Sequence, residues 1–176
     1  MIFRAAKLPG AYLIEPDMRA DERGFFARTF CQSEFKEHGL NPLVAQCSIS
    51  FNRRQGTLRG MHFQAAPYAE TKLVRCTSGA IFDVIIDLRP ESPSFRHHEA
   101  FKLTAENRKM VYVPEGFEHG FQTLVDDTEV FYQMSQVYVT RYARGVRWND
   151  PAFGIEWPSA DRIILERDQR YPDFQL

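Results

Sequence analysis

Cysteine is scarce in this chain and is arranged for no obvious chemistry. Cys31, Cys47 and Cys76 are odd in number, widely spaced and without a CxxC pair, which argues against a disulfide framework or a zinc site and leaves buried reduced thiols as the plain reading. An excess of charge of one sign is also missing. Lys plus Arg total 22 against 23 for Asp plus Glu, so no global field points to nucleic acid or an anionic membrane, and an anionic ligand must be held by local charges. Long apolar runs are absent too. No stretch reaches the roughly 18 residues of a membrane span, and the opening MIFRAAKLPGAYLIEP holds no signal-peptide core, so the expected compartment is the cytoplasm.

What is present is a large apolar fraction broken into short pieces. With 176 residues, 44% of them hydrophobic and 14% aromatic, the chain can bury one good core, and residues 1–176 are expected to form a single domain. Runs rich in Val, Ile, Phe and Tyr are separated by the turn clusters NRRQG (52–56), TSG (77–79), RPESPS (89–94), TAENRK (104–109) and VDD (125–127). That rhythm predicts an all-β fold, a double-sheet jelly roll or barrel, without the helical segments that βαβ units require. Only two stretches read as helix: SEFKEHG (33–39), with Ser33 as cap and Gly39 as stop, and the tail after Pro158.

Strand parity sorts the polar residues. In AIFDVIIDL (80–88), Asp83 and Asp87 share a face with Ile81 and Ile85, which points two carboxylates into a lined cavity. In TEVFYQMSQVY (128–138), Val130, Tyr132, Met134, Gln136 and Tyr138 share a face, giving one wall two phenols. The densest stretch is GTLRGMHFQ (56–64) with ETKLVRC (70–76), which offers Arg59, His62, Lys72 and Arg75. Strict alternation sets Arg59 and His62 on opposite faces; a bulge at Gly60 would turn both inward. From pattern alone His62 is open to a structural reading, and so is His119, delivered by the turn VPEGFEHGF (113–121). A metal-binding cupin needs HxH on the earlier strand, but here the place reads His62-Phe63-Gln64, and one imidazole where two are needed argues against a catalytic metal.

Taken in order, DERGFF (21–26), GTLRGMHFQ, KLVR (72–75), DVIIDLRPESPSF (83–95), VPEGFEHGFQTL (113–124), EVFY (129–132), GVRWNDPAFGIEWP (145–158) and ERD (166–168) resemble the successive motifs of the dTDP-4-dehydrorhamnose 3,5-epimerase family. The resemblance covers nearly the whole chain and implies a metal-free, cofactor-free cupin-type barrel with short peripheral helices. It implies a nucleotide-sugar substrate and a homodimer in which N-terminal strands are exchanged and each site is completed by its neighbour. It also assigns roles: His62 as base, paired with Asp168; Tyr132 as the opposing acid; Lys72 and Arg59 beside the sugar and phosphates; Tyr138 as a further substrate contact; Arg23, Gln46 and His119 at matching positions.

The chemistry explains the residue types. A proton on a carbon next to a ketone becomes removable when the developing enolate oxygen is stabilised, which a cation such as Lys72 or a histidine donor can do. Histidine accepts a proton near neutrality, and a carboxylate partner fixes its tautomer. Arg59 and Arg23 offer planar forks to a diphosphate. The sequence also departs from the family pattern. Arg28 stands where a glutamate helps to read the nucleotide, Ser48 replaces an asparagine in Gln46-Cys47-Ser48-Ile49-Ser50, and Leu165 replaces a serine. Arg28 becomes a candidate phosphate contact. The rivals are a single-position (C3 or C5) epimerase of another nucleotide sugar, a metal-dependent cupin oxygenase and a non-catalytic sugar-nucleotide binding module. Keeping base, acid, lysine and aspartate together argues against the last.

Overall fold

The computed structural model describes residues 1–175; Leu176, the last residue of the expected domain, lies outside the described residues. In chain order the elements are β1 (Ile2–Ala5), β2 (Tyr12–Glu15), β3 (Arg19–Asp21), β4 (Gly24–Phe26), α1 (Gln32–Glu37), β5 (Gln46–Asn52), β6 (Thr57–Gln64), β7 (Lys72–Ser78) and β8 (Ala80–Asp87). Then follow β9 (His98–Thr104), β10 (Met110–Val113), β11 (Phe117–Thr123), β12 (Thr128–Met134), β13 (Ala143–Gly145), β14 (Ile163–Ile164) and α2 (Glu166–Gln169). One sheet runs β1-β2-β10-β7-β12-β5, and the other runs β13-β6-β11-β8-β9 with β14 added parallel to β6. The turn clusters fall between strands or overlap a strand end by one or two residues, as expected from their Gly, Pro, Asn and Asp content.

Both sheets are covered on both faces over most of their width, with the outer face of β5 left exposed. Between them lies a core of Val74, Cys76, Ile81, Ile85, Leu103, Val111, Phe117, Phe121 and Val130. The outer face of the first sheet carries Ile14, Leu73, Met110 and Tyr112 under Phe35 of α1 and Leu40. The outer face of the second carries Leu58, Met61, Val84 and Ile86 under Val146, Phe153 and Trp157 from the C-terminal segment. This double cover buries β11 along its whole length and most of β8, although both strands carry polar residues. Glu118 of β11 is caught in this layer. It is fully buried, neither carboxyl oxygen has a hydrogen-bond partner, and the nearby Val146 N–H donates to Met61 O at 3.3 Å. Burial holds its carboxyl well above the usual range.

Two local readings are corrected. The first helix starts one residue before Ser33, with Cys31 as an N-cap that uses no side-chain bond, because the Ser33 hydroxyl turns to Cys31 Sγ at 3.1 Å instead of capping. Gly39 does stop the helix, at φ +70° with its N–H on Lys36 O at 3.0 Å. After Pro158, among the described residues, only Glu166–Gln169 is helical, and Ile163–Ile164 joins the sheet.

Candidate active site

A cavity of about 740 Å³ opens between β5 and β12 of one sheet and β6 and β11 of the other, walled on one side by the β14–α2 segment. Gln46, Arg59, His62, Lys72, His119, Tyr132, Tyr138 and Asp168 all line it. Parity holds on two walls: Gln46, Ser48 and Ser50 face in from β5, and Tyr132 and Met134 from β12, with Tyr138 just beyond the strand.

The β6 wall needs the bulge. His62 pairs with His119 and Arg59 with Phe121, so three steps on β6 match two on β11, and Arg59 and His62 both reach the cavity while Met61 turns to the outer core. Gly60 makes this possible. Its φ is +135°, and a Cβ there would lie 2.6 Å from Gly120 Cα, so no side chain fits where the two strands approach.

His62 Nε2 lies 2.8 Å from Asp168 Oδ1, and Asp168 is almost fully buried. Burial alone would raise the Asp168 carboxyl, but the hydrogen bond and charge of His62, with those of Arg167, outweigh it and hold the group below its ordinary value. An ionised Asp168 accepts a hydrogen bond from Nε2–H, which fixes the tautomer and leaves Nδ1 as the basic nitrogen. Lys72 Nζ donates to His62 O at 3.2 Å and pairs with Glu70 Oε1 at 3.3 Å. Across the cavity, the Tyr132 ring meets His119 edge-on at 6.0 Å, and His119 Nε2 bonds the buried Asp83 Oδ2 at 2.7 Å. Burial, reinforced by Asp83 and opposed by Arg59, raises the Tyr132 phenol far above its ordinary value, so it keeps its proton. Arg59 Nε is steadied by Asn52 Oδ1 at 2.7 Å. Among the described residues no cluster of three or more His, Cys, Asp or Glu is arranged to hold a metal. Gln64, in the place of the second imidazole, ties loops together through Tyr68 O, Val137 O and the Val139 N–H.

Three expectations meet a different geometry. Asp87 does not face the cavity. It is fixed by Arg89, Ser92 and Ser94 in the turn after β8, and although burial opposes ionisation these donors pull its carboxyl down to about 2. Arg23 lies on the exposed β3–β4 hairpin, paired with Asp21 at 2.6 Å, and Arg28 pairs with Glu34 at 2.6 Å; neither lines the cavity of its own chain. Conversely, Glu70 and Arg167 line the cavity without a sequence signal that singled them out, and Asp83, visible only by parity, supports His119.

A sequence profile described as dTDP-4-dehydrorhamnose 3,5-epimerase matches residues 5–175. The chain is 39% identical over 173 residues to the dTDP-4-dehydrorhamnose 3,5-epimerase of Sinorhizobium fredii, covering 98% of this chain and 89% of the relative. It superposes on the dTDP-4-dehydrorhamnose 3,5-epimerase of Bacillus anthracis, crystallised with TDP and PPi bound, with a TM-score of 0.95 at 37% identity, covering 98% of this chain and 99% of the other. A 3'-monoepimerase from Streptomyces bikiniensis in complex with dTDP-quinovose is also similar, with a TM-score of 0.88 at 32% identity, covering 96% of this chain and 85% of that one. Sequence and cupin-type jelly-roll fold agree, and the chain belongs to the dTDP-4-dehydrorhamnose 3,5-epimerase family.

Proposed function

We propose that this protein inverts C3 and C5 of a nucleotide-linked 4-keto-6-deoxyhexose, converting dTDP-4-dehydro-6-deoxyglucose to dTDP-4-dehydrorhamnose. The observation that carries this reading is an imidazole backed by a buried carboxylate facing the same cavity as an ammonium and a protonated phenol. His62 Nδ1 takes the proton from the carbon beside the ketone. The bonding pair moves into the C–C bond, the carbonyl oxygen becomes an enolate, and Lys72 stabilises the charge. Tyr132 returns a proton to the opposite face, and the ketone re-forms. No cofactor is needed, because the substrate's own carbonyl holds the electrons.

Arg59 supplies the charge for the diphosphate, with Gln46 and Tyr138 beside it and His119 near the sugar. The finer parts of the reading concern assembly. The β3–β4 hairpin holds Phe26 at 78% exposure, and the outer face of β5 shows Ile49 at 64%. Such a surface supports a homodimer in which each hairpin crosses to its neighbour, bringing Arg23, and with it Arg28, towards that neighbour's cavity. Residues 1–176 then act as one domain, and a nucleotide-sugar substrate makes the cytoplasm the proposed compartment.

The test is proton NMR in deuterated buffer with dTDP-4-keto-6-deoxyglucose. Loss of the signals at C3 and C5 is expected. Loss of one alone would make the protein a single-position enzyme like its Streptomyces bikiniensis relative, and loss of neither would overturn the reading. His62→Ala should abolish exchange with dTDP affinity within about threefold, since the variant lacks the base and keeps the phosphate contacts.

A further inference from the structure

Arg167 belongs to α2 and is half exposed at the cavity mouth, yet it faces inward to the base pair. Its Nε donates to Asp168 Oδ1 at 3.3 Å, the same oxygen that His62 Nε2 engages at 2.8 Å, and its Nη2 lies 3.3 Å from that imidazole nitrogen. We propose that Arg167 is a positioning residue for the base: its guanidinium holds the Asp168 carboxylate ionised and turned towards His62. The inference rests on the epimerase reading for its catalytic meaning.

The physical argument starts from Asp168. A carboxylate removed from water is costly unless other donors replace the lost hydration. The groups facing it are His62 and the Gly60 N–H from β6 and Arg167 from its own helix, with the Tyr171 and Tyr138 phenols bearing on the guanidinium. The Gly60 bond is long, at 3.5 Å. His62 is neutral when it is ready to act as base, so Arg167 is then the permanent positive charge in contact with the carboxylate. An arginine suits this place because its charge survives any working pH and its guanidinium donates to the carboxylate through Nε.

The experiment compares wild type, Arg167→Met and Arg167→Lys. In deuterium wash-in assays, Arg167→Met should lower kcat about tenfold to a hundredfold with KM and dTDP affinity within threefold, and Arg167→Lys should restore most of the rate. The acid side of the pH–rate profile should move to higher pH in Arg167→Met, because a carboxyl that loses its cation is protonated earlier as pH falls. An unchanged kcat with a raised KM would make Arg167 a phosphate contact and overturn the proposal. If the wild type shows no exchange, the epimerase reading fails while this inference stays testable. The Asp168 carboxyl carbon, followed by NMR without substrate, should titrate at higher pH in Arg167→Met, and an unmoved titration would sink the positioning role.

Discussion

One ring nitrogen of His62 is occupied by Asp168, so the direction of the chemistry follows from which nitrogen remains. Replacing Asp168 by Asn keeps the shape and removes the charge, and an amide can present its oxygen or its NH2 to the ring. Asp168→Asn should therefore slow deuterium wash-in by about a hundredfold or more while the protein stays folded, as measured by NMR exchange and circular dichroism. Tyr132→Phe separates the two halves of the reaction. Wash-in at one face should persist while net inversion at the centre served by Tyr132 is lost, read from the product coupling constants. Much at this scale was legible, because Arg59, His62, Lys72, His119 and Tyr132 sit in dense, strand-like motifs. Asp168 lies 106 residues from its partner, and only the resemblance joined them. Glu70 and Arg167 sit in no pattern that periodicity can read.

At the scale of elements, β6 shows how one glycine reconciles conflicting demands. Alternation forbids Arg59 and His62 from sharing a face, and the sequence itself signalled the remedy by placing a glycine between them. Gly60→Ala should cost about 3 kcal/mol or more, from a backbone angle that alanine resists and a Cβ driven against Gly120, measured as a lower urea midpoint at constant slope. The remaining folded protein should exchange protons poorly, since relief of the clash moves one of the two side chains off the cavity. α1 gives the opposite lesson. A serine near a helix start reads as a cap, but here a neighbouring thiol competes for its hydroxyl, and nothing in local sequence foretells that.

For the whole molecule, cover on both faces of the central strands made the outer layers hard to assign, since a strand buried on both sides has no solvent face to mark which side meets which layer. It also trapped Glu118. A carboxyl whose folded value is raised keeps its proton after the unfolded chain has lost its own, so stability present at low pH declines as pH rises from the unfolded value through the folded one. Asp87 acts in the other sense: depressed to about 2, it contributes stability above its unfolded value that is lost as pH falls through the folded one. Urea unfolding from pH 5 to 9 should show Glu118→Gln gaining on wild type as pH rises, and parallel curves would mean that the carboxyl ionises in place.

The bulge at Gly60 finally acts as a gauge of length. It fixes Arg59 and His62 three residues apart on one wall, about 7–10 Å at strand rise, so that a guanidinium and an imidazole meet one ligand at two separate points. A free sugar presented to such a wall is gripped at one end only.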